Sequence, residues 1–220
     1  MKHVVLLHGL GSHGITMSFL KAYINIFSDY QTHVFSYYSI TSDIYQILDY
    51  LEGLFNSNFS YHDDICIIGH SLGGVLAAKL ASSKRIYCKV SQIITLGSPH
   101  SGAILANKIS TKIPFMTKIF PIVEELSYGS ALLKYNIIEK CKVGVIVGNK
   151  HKSYWNPPII LGRMILGDNF IHDGVVRLSE NENNTLCISD YACLHVDHVN
   201  LLWSSKVASM CLNFIEHNKF

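Results

Sequence analysis

Short apolar runs alternate with longer stretches of helical periodicity along the whole chain, and this alternation restricts it to few architectures. Runs such as Val4 to Leu7 are apolar throughout, the pattern of strands buried on both faces. Strands are predicted over His3 to Leu7, His33 to Tyr37, Asp64 to Gly69, Gln92 to Leu96, Lys142 to Val147 and Thr185 to Ile188. Helical patterns run over Met17 to Phe27, Asp43 to Phe55, Ser71 to Ser82, Leu132 to Glu139 and Ser204 to Glu216. The last puts Val207, Met210, Cys211, Phe214 and Ile215 on one stripe fit to dock on a sheet. Such an order predicts an α/β protein with a mostly parallel sheet of about six strands and helices on both faces.

With 49% apolar and 15% charged residues, the 220 residues suit one hydrophobic core, read as a single domain over 1–220. A net charge of +2, and no basic cluster longer than Lys150 to Lys152, offer no footprint for nucleic acid. The apolar run at Val4 to Leu7 is too short for the core of a signal peptide, and no run approaches a membrane span. The expectation is a soluble, cytoplasmic protein. Cysteines 66, 88, 141, 187, 193 and 211 show no C-x-x-C spacing and read as reduced, buried thiols. Among twelve histidines, His195 and His198 could share a face, but no third ligand stands at metal spacing, so no metal is expected.

Two apolar segments lack sheet periodicity. Prolines 114 and 121 forbid one continuous helix in the first, and Trp155 to Phe170 forms the second. They read either as cap insertions, around 103–135 and 153–170, or as helices completing the core. Lys108, Lys112 and Lys118 interleave with apolar residues, which suits a solvated face or a transient contact with a membrane surface.

Residues 69 to 73 read Gly-His-Ser-Leu-Gly, with a strand pattern before and a helix pattern after. A strand turning at once into a helix forces Ser71 into strained backbone angles, and side chains at 69 and 73 would crowd the turn. It also sets Ser71 at a helix N-terminus, where the amide of Leu72 faces negative charge forming on a substrate oxygen. A catalytic role requires a second amide donor, a carboxylate and a histidine, in the chain order serine, acid, histidine. The strand ending in His8-Gly9 lets its loop bend back, so that the amide of Leu10 can supply the second donor.

The segments HGLGS, GHSLGG and TLGSPHSG together resemble the α/β-hydrolase superfamily, specifically its lipase-like and acyl-esterase branch. Ser98 stands where the LGTPH segment of those lipases has threonine. Within this resemblance, IHDGVVRLS is similar to the Asp-Gly-x-Val stretch that carries the catalytic carboxylate, which points to Asp173 over Asp168, Asp190 and Asp197. The histidine of that branch stands on a loop before the last helix, which fits His198, with His195 as rival. The order Ser71, Asp173, His198 agrees with the fold's requirement. The chain opens almost directly on the strand bearing His8, so the resemblance implies a compact sheet and leaves oligomeric state and an exposed edge open.

The resemblance implies a serine hydrolase acting on small-molecule or lipid carboxylic esters through an acyl-serine, without cofactor or metal. The same machinery serves thioesterases and lipid acyltransferases, and the fold also carries binding modules without turnover.

Overall fold

The computed structural model describes residues 2–112, 115, 121–127, 130, 133–135, 141–151, 157–167 and 169–220. Its sheet has six strands: β1 (Lys2–Leu7), β2 (Gln31–Phe35), β3 (Asp64–His70), β4 (Lys89–Leu96), β5 (Lys142–Gly148) and β6 (Ile188–Leu194). They lie in the order β2-β1-β3-β4-β5-β6, and every neighbouring pair is parallel. The helices among the described residues are α1 (Ser18–Phe27), α2 (Ile44–Asn58), α3 (Leu72–Ser82), α4 (Ile104–Lys112), α5 (Pro121–Glu125), α6 (Pro157–Leu166) and α7 (Ser205–His217).

The apolar runs become strands with two buried faces. Val5, Leu7, Ile65, Ile67, Ile93, Val143 and Val145 pack with residues of α2 and α3. Their neighbours Val4, Leu6, Cys66, Ile68, Ile94 and Ile146 pack on the other face with Leu20 and Ile24 of α1 and with Val207, Cys211, Phe214 and Ile215 of α7. Each such fully buried side chain contributes about 1.5–3 kcal/mol, which is why the final stripe docks as its period predicts. Local signals set the helix starts. Asp43 accepts the amide of Gln46 at 2.8 Å while the Gln46 side chain accepts that of Asp43 at 3.1 Å, a capping box. Ser204 caps α7, which ends at Asn218 in the left-handed region.

The strand order reverses at β1. The chain leaves β1 over the α1 face toward β2 and leaves β3 over the α3 face toward β4, so a crevice opens between their carboxyl ends.

Three expectations need correction. The sixth strand is Ile188–Leu194, not Thr185 to Ile188. Thr185 and Leu186 instead close a turn on Asn183, and the true strand is a half-exposed edge that lacks an apolar run. The second strand starts at Gln31 and ends at Phe35, because Ser36 and Tyr37 leave the sheet to bond the loop after β1. Cys66, Cys88, Cys141 and Cys211 are buried free thiols, but Cys187 and Cys193 are exposed. The helix expected over Leu132 to Glu139 lies largely outside the described residues, as do Asp168 and Lys118. Among the described residues no helix is long and apolar enough to cross a membrane.

Candidate active site

β3 ends in Gly69 and His70, and the chain then turns at Ser71 with φ 53° and ψ −120° before α3 begins. This conformation costs a non-glycine residue roughly 1–3 kcal/mol. The surroundings hold it there: the Ser71 amide donates to the carbonyl of Leu96 at 2.9 Å, and its carbonyl accepts from Gly74 at 3.0 Å. A Cβ on Gly69 would lie 2.2 Å from the carbonyl oxygen of Gly73, and one on Gly73 would lie 2.3 Å from that of Leu7. The strand, the turn and the first turn of α3 therefore touch backbone to backbone.

Beside this turn runs the loop that leaves β1. His8 is fully buried, donates from Nδ1 to the carbonyl of Gly9 at 2.9 Å, and accepts at Nε2 from the amide of Tyr37 at 3.3 Å. Burial lowers its pKa, which keeps this neutral tautomer. The Tyr37 hydroxyl donates to the carbonyl of His8. Ser39 Oγ accepts the amide of Gly11 at 3.0 Å and Ser36 Oγ that of Gly14 at 2.8 Å. Three residues that follow β2 thus fix, through four hydrogen bonds, the loop carrying Leu10, which lines the same cavity as Ser71. Leu72 is the first residue of α3, so its amide belongs to the open end of that helix.

Asp173 and His198 meet across the crevice. His198 Nδ1 donates to Asp173 Oδ2 at 2.7 Å, and both are almost fully buried. The other carboxylate oxygen accepts the amides of Val175 at 3.0 Å and Val176 at 2.8 Å. The His198 amide donates to the Asp173 carbonyl at 3.0 Å, so the pair is held by backbone as well as side chains. With Nδ1 committed, Nε2 carries the lone pair. His70 Nε2 donates to the carbonyl of His198 at 2.9 Å, tying the turn before Ser71 to the histidine loop.

The rivals among the described residues bond other groups. His195 is exposed and donates to Asn149. Asp190 accepts from Tyr191 and Phe220, and Asp197 accepts from Asn200.

Several contributors carried no assigned role in the sequence reading. Gly97, at φ 58°, lies against the Asp–His pair: a Cβ there would sit 3.0 Å from Asp173 Oδ2 and 3.1 Å from His198 Nδ1. It falls inside the TLGSPHSG segment, where a glycine followed by Ser-Pro is the available signal of a backbone turn. Tyr37 and Ser39 lie in a plain hydroxyl-rich loop and had no signal.

Ser71, His198 and Leu10 open on a cavity of about 350 Å³. Leu105, Ala106 and Ile109 of α4, Val123 of α5, and Val175 and Val176 form its apolar walls. Ala106, Ile122 and Val123 also join the hydrophobic core, so the first irregular segment both completes the core and walls the cavity. Among the described residues no group of three or more His, Cys, Asp or Glu is placed to hold a metal ion.

Two histidines around the site are buried as neutral rings. Burial pushes the His70 imidazole down to about 3, with His198 adding to the effect, and pushes His100 to about 3. The unfolded chain binds a proton on each near pH 6.5, and the folded chain does not until far lower pH. Their contribution to stability is therefore present above about pH 6.5 and lost as pH falls toward 3. His100→Asn should flatten the fall in urea midpoint between neutral pH and pH 5, recovering about 2 kcal/mol of the pH dependence. An unchanged slope would show that His100 titrates normally.

The PGAP1-like alpha/beta domain family matches residues 30–127. No curated protein sequence matches the chain. Among solved structures, the mature lipase BlEst2 of Bacillus licheniformis is similar at TM-score 0.70 and 16% identity, over 99% of this chain and 92% of that one. The metagenomic carboxyl esterase MGS0156 is similar at TM-score 0.68 and 13% identity, over 90% and 64%. Phospholipase PlaB of Legionella pneumophila is similar at TM-score 0.60 and 15% identity, over 83% of this chain but only 44% of its own. With its all-parallel six-stranded sheet, the chain has the lipase- and esterase-like α/β-hydrolase fold.

Proposed function

We propose that the chain is a serine hydrolase cleaving carboxylic esters, with Ser71 as nucleophile, His198 as base and Asp173 as its carboxylate partner. The observation that carries this reading is the buried 2.7 Å bond from His198 Nδ1 to Asp173, with His198 opening on the same cavity as Ser71. Asp173 holds the tautomer in which Nε2 takes the Ser71 proton as Oγ attacks the ester carbonyl. The amides of Leu10 and Leu72 stabilise the oxyanion. His198 returns the proton to the leaving alcohol, and water then releases the acyl group from Ser71 by the same steps in reverse roles. The apolar walls on α4 and α5, which act as the cap, take the acyl chain, and about 350 Å³ is within the usual range of ligand pockets, ~300–1,000 Å³. No cofactor enters these steps.

A fluorophosphonate probe should label the wild type and not Ser71→Ala, and hydrolysis of p-nitrophenyl esters should vanish with the label. A folded wild type that neither labels nor turns over would sink the reading and leave a binding module on a hydrolase fold.

A further inference from the structure

One buried carboxylate that these steps do not use joins two walls of the cavity. Glu180 lies in the short 3-10 turn Leu178–Asn181 and is fully buried. Its Oε1 accepts the amide of Ile104, the first residue of α4, at 2.8 Å. Its Oε2 accepts the amide of Arg177 at 2.9 Å, and its own carbonyl accepts the amide of Ser101 at 3.0 Å. α4 brings Leu105, Ala106 and Ile109 to the cavity, and the stretch just before Arg177 brings Val175 and Val176, whose amides hold Asp173. The side chain therefore connects the wall facing an acyl chain to the turn that orients the carboxylate.

We propose that Glu180 is a positioning residue whose ionised carboxylate keeps the α4 wall and the Asp173 turn in register, so that discrimination between long and short acyl chains follows its charge. The kinetic half of this inference rests on the serine hydrolase reading; the structural half does not.

An ionised carboxylate offers both oxygens as acceptors. Protonation converts one to a hydroxyl, and one of the two amides loses its charge-assisted partner. The open amides of the first turn of α4 favour the charge. Burial opposes it. Arg177, on the same loop, favours the ionised form, and Asp173, across the turn, disfavours it. From α4, Lys108 reaches away to the carbonyl of Ile165. From the segment before α4, His100 packs on Tyr135 as a neutral ring. The balance leaves the Glu180 carboxyl raised to about 7, so its charge changes within the range of an ordinary assay.

Two readouts test this. The backbone amide resonances of Ile104 and Arg177, followed from about pH 5 to about pH 9 without substrate, should shift together with a midpoint near 7 and stay flat in Glu180→Gln. In parallel, the ratio of kcat/KM for an octanoyl over an acetyl p-nitrophenyl ester should fall about fivefold below that midpoint, through KM. The ratio cancels any pH dependence of the chemical steps that both substrates share. In Glu180→Gln, whose amide offers a single acceptor, the ratio should be low at every pH. Amides that fail to titrate together, or a ratio that titrates alike in both proteins, would overturn the proposal. Where Glu180→Gln does not fold, the wild-type amide titration decides. A protein that hydrolyses neither ester while its two amides titrate together keeps the coupling and loses only the hydrolase reading.

Discussion

Asp173→Asn is expected to lower kcat by about 10⁴-fold on any ester the wild type hydrolyses, with the fold intact. The reason lies in how the carboxylate is held. Its Oδ1 accepts two backbone amides, from Val175 and Val176, and only an oxygen can occupy that place. An asparagine must therefore turn its amino group toward His198, where it donates to Nδ1 and drives the ring proton to Nε2. The histidine then has no lone pair for Ser71. Because the residues act as a unit, the same change in a Ser71→Ala background should cost almost nothing further. Asp190→Asn is the control: that residue bonds Tyr191 and Phe220 on the sheet edge and should leave kcat within about twofold. Steady-state kcat, with circular dichroism to verify folding, decides. Equal activity in Asp173→Asn would remove Asp173 from the reading.

Gly97→Ala should lower kcat by about 10²-fold without contacting substrate. A methyl group there has no free direction. At φ 58° alanine carries a cost of roughly 1–2 kcal/mol, and its Cβ would stand 2.9 Å from Leu201 Cδ1 and near 3 Å from both partners of the Asp–His bond. Relief comes by moving the imidazole, whose 2.7 Å bond and approach to Ser71 depend on its place. KM for a short ester should change little, and the thermal midpoint should fall only modestly. A kcat equal to that of wild type would show that the pair tolerates displacement.

What could be read from residues alone follows a physical divide. Strands buried on both faces write a continuous apolar signal, so β1, β3 and β5 were legible nearly to the residue. β6 is a half-exposed edge whose sequence, ISDYACL, carries no such run, and its position was misjudged by several residues. The turn at Ser71 was legible because its crowding demands glycine on both sides. The resemblance pointed to Asp173 and His198, and the structure places them in contact, with His195 exposed elsewhere. Glu180 and Tyr37 were not legible. Their roles come from hydrogen bonds to backbone groups distant in sequence, which leave no local pattern: Glu180 bonds Ile104, and Tyr37 bonds His8.

The placement of His198 also has a consequence for the order in which reactivity arises during synthesis. The serine-bearing turn, the loop after β1 and Gly97 all precede α4, whereas the imidazole is delivered by the chain that follows β6. Four of the six strands can form around a hydroxyl that has no base. Under the proposed reading a nascent chain is inert toward cellular esters until β5 and β6 have docked, and the first turnover reports that folding is finished.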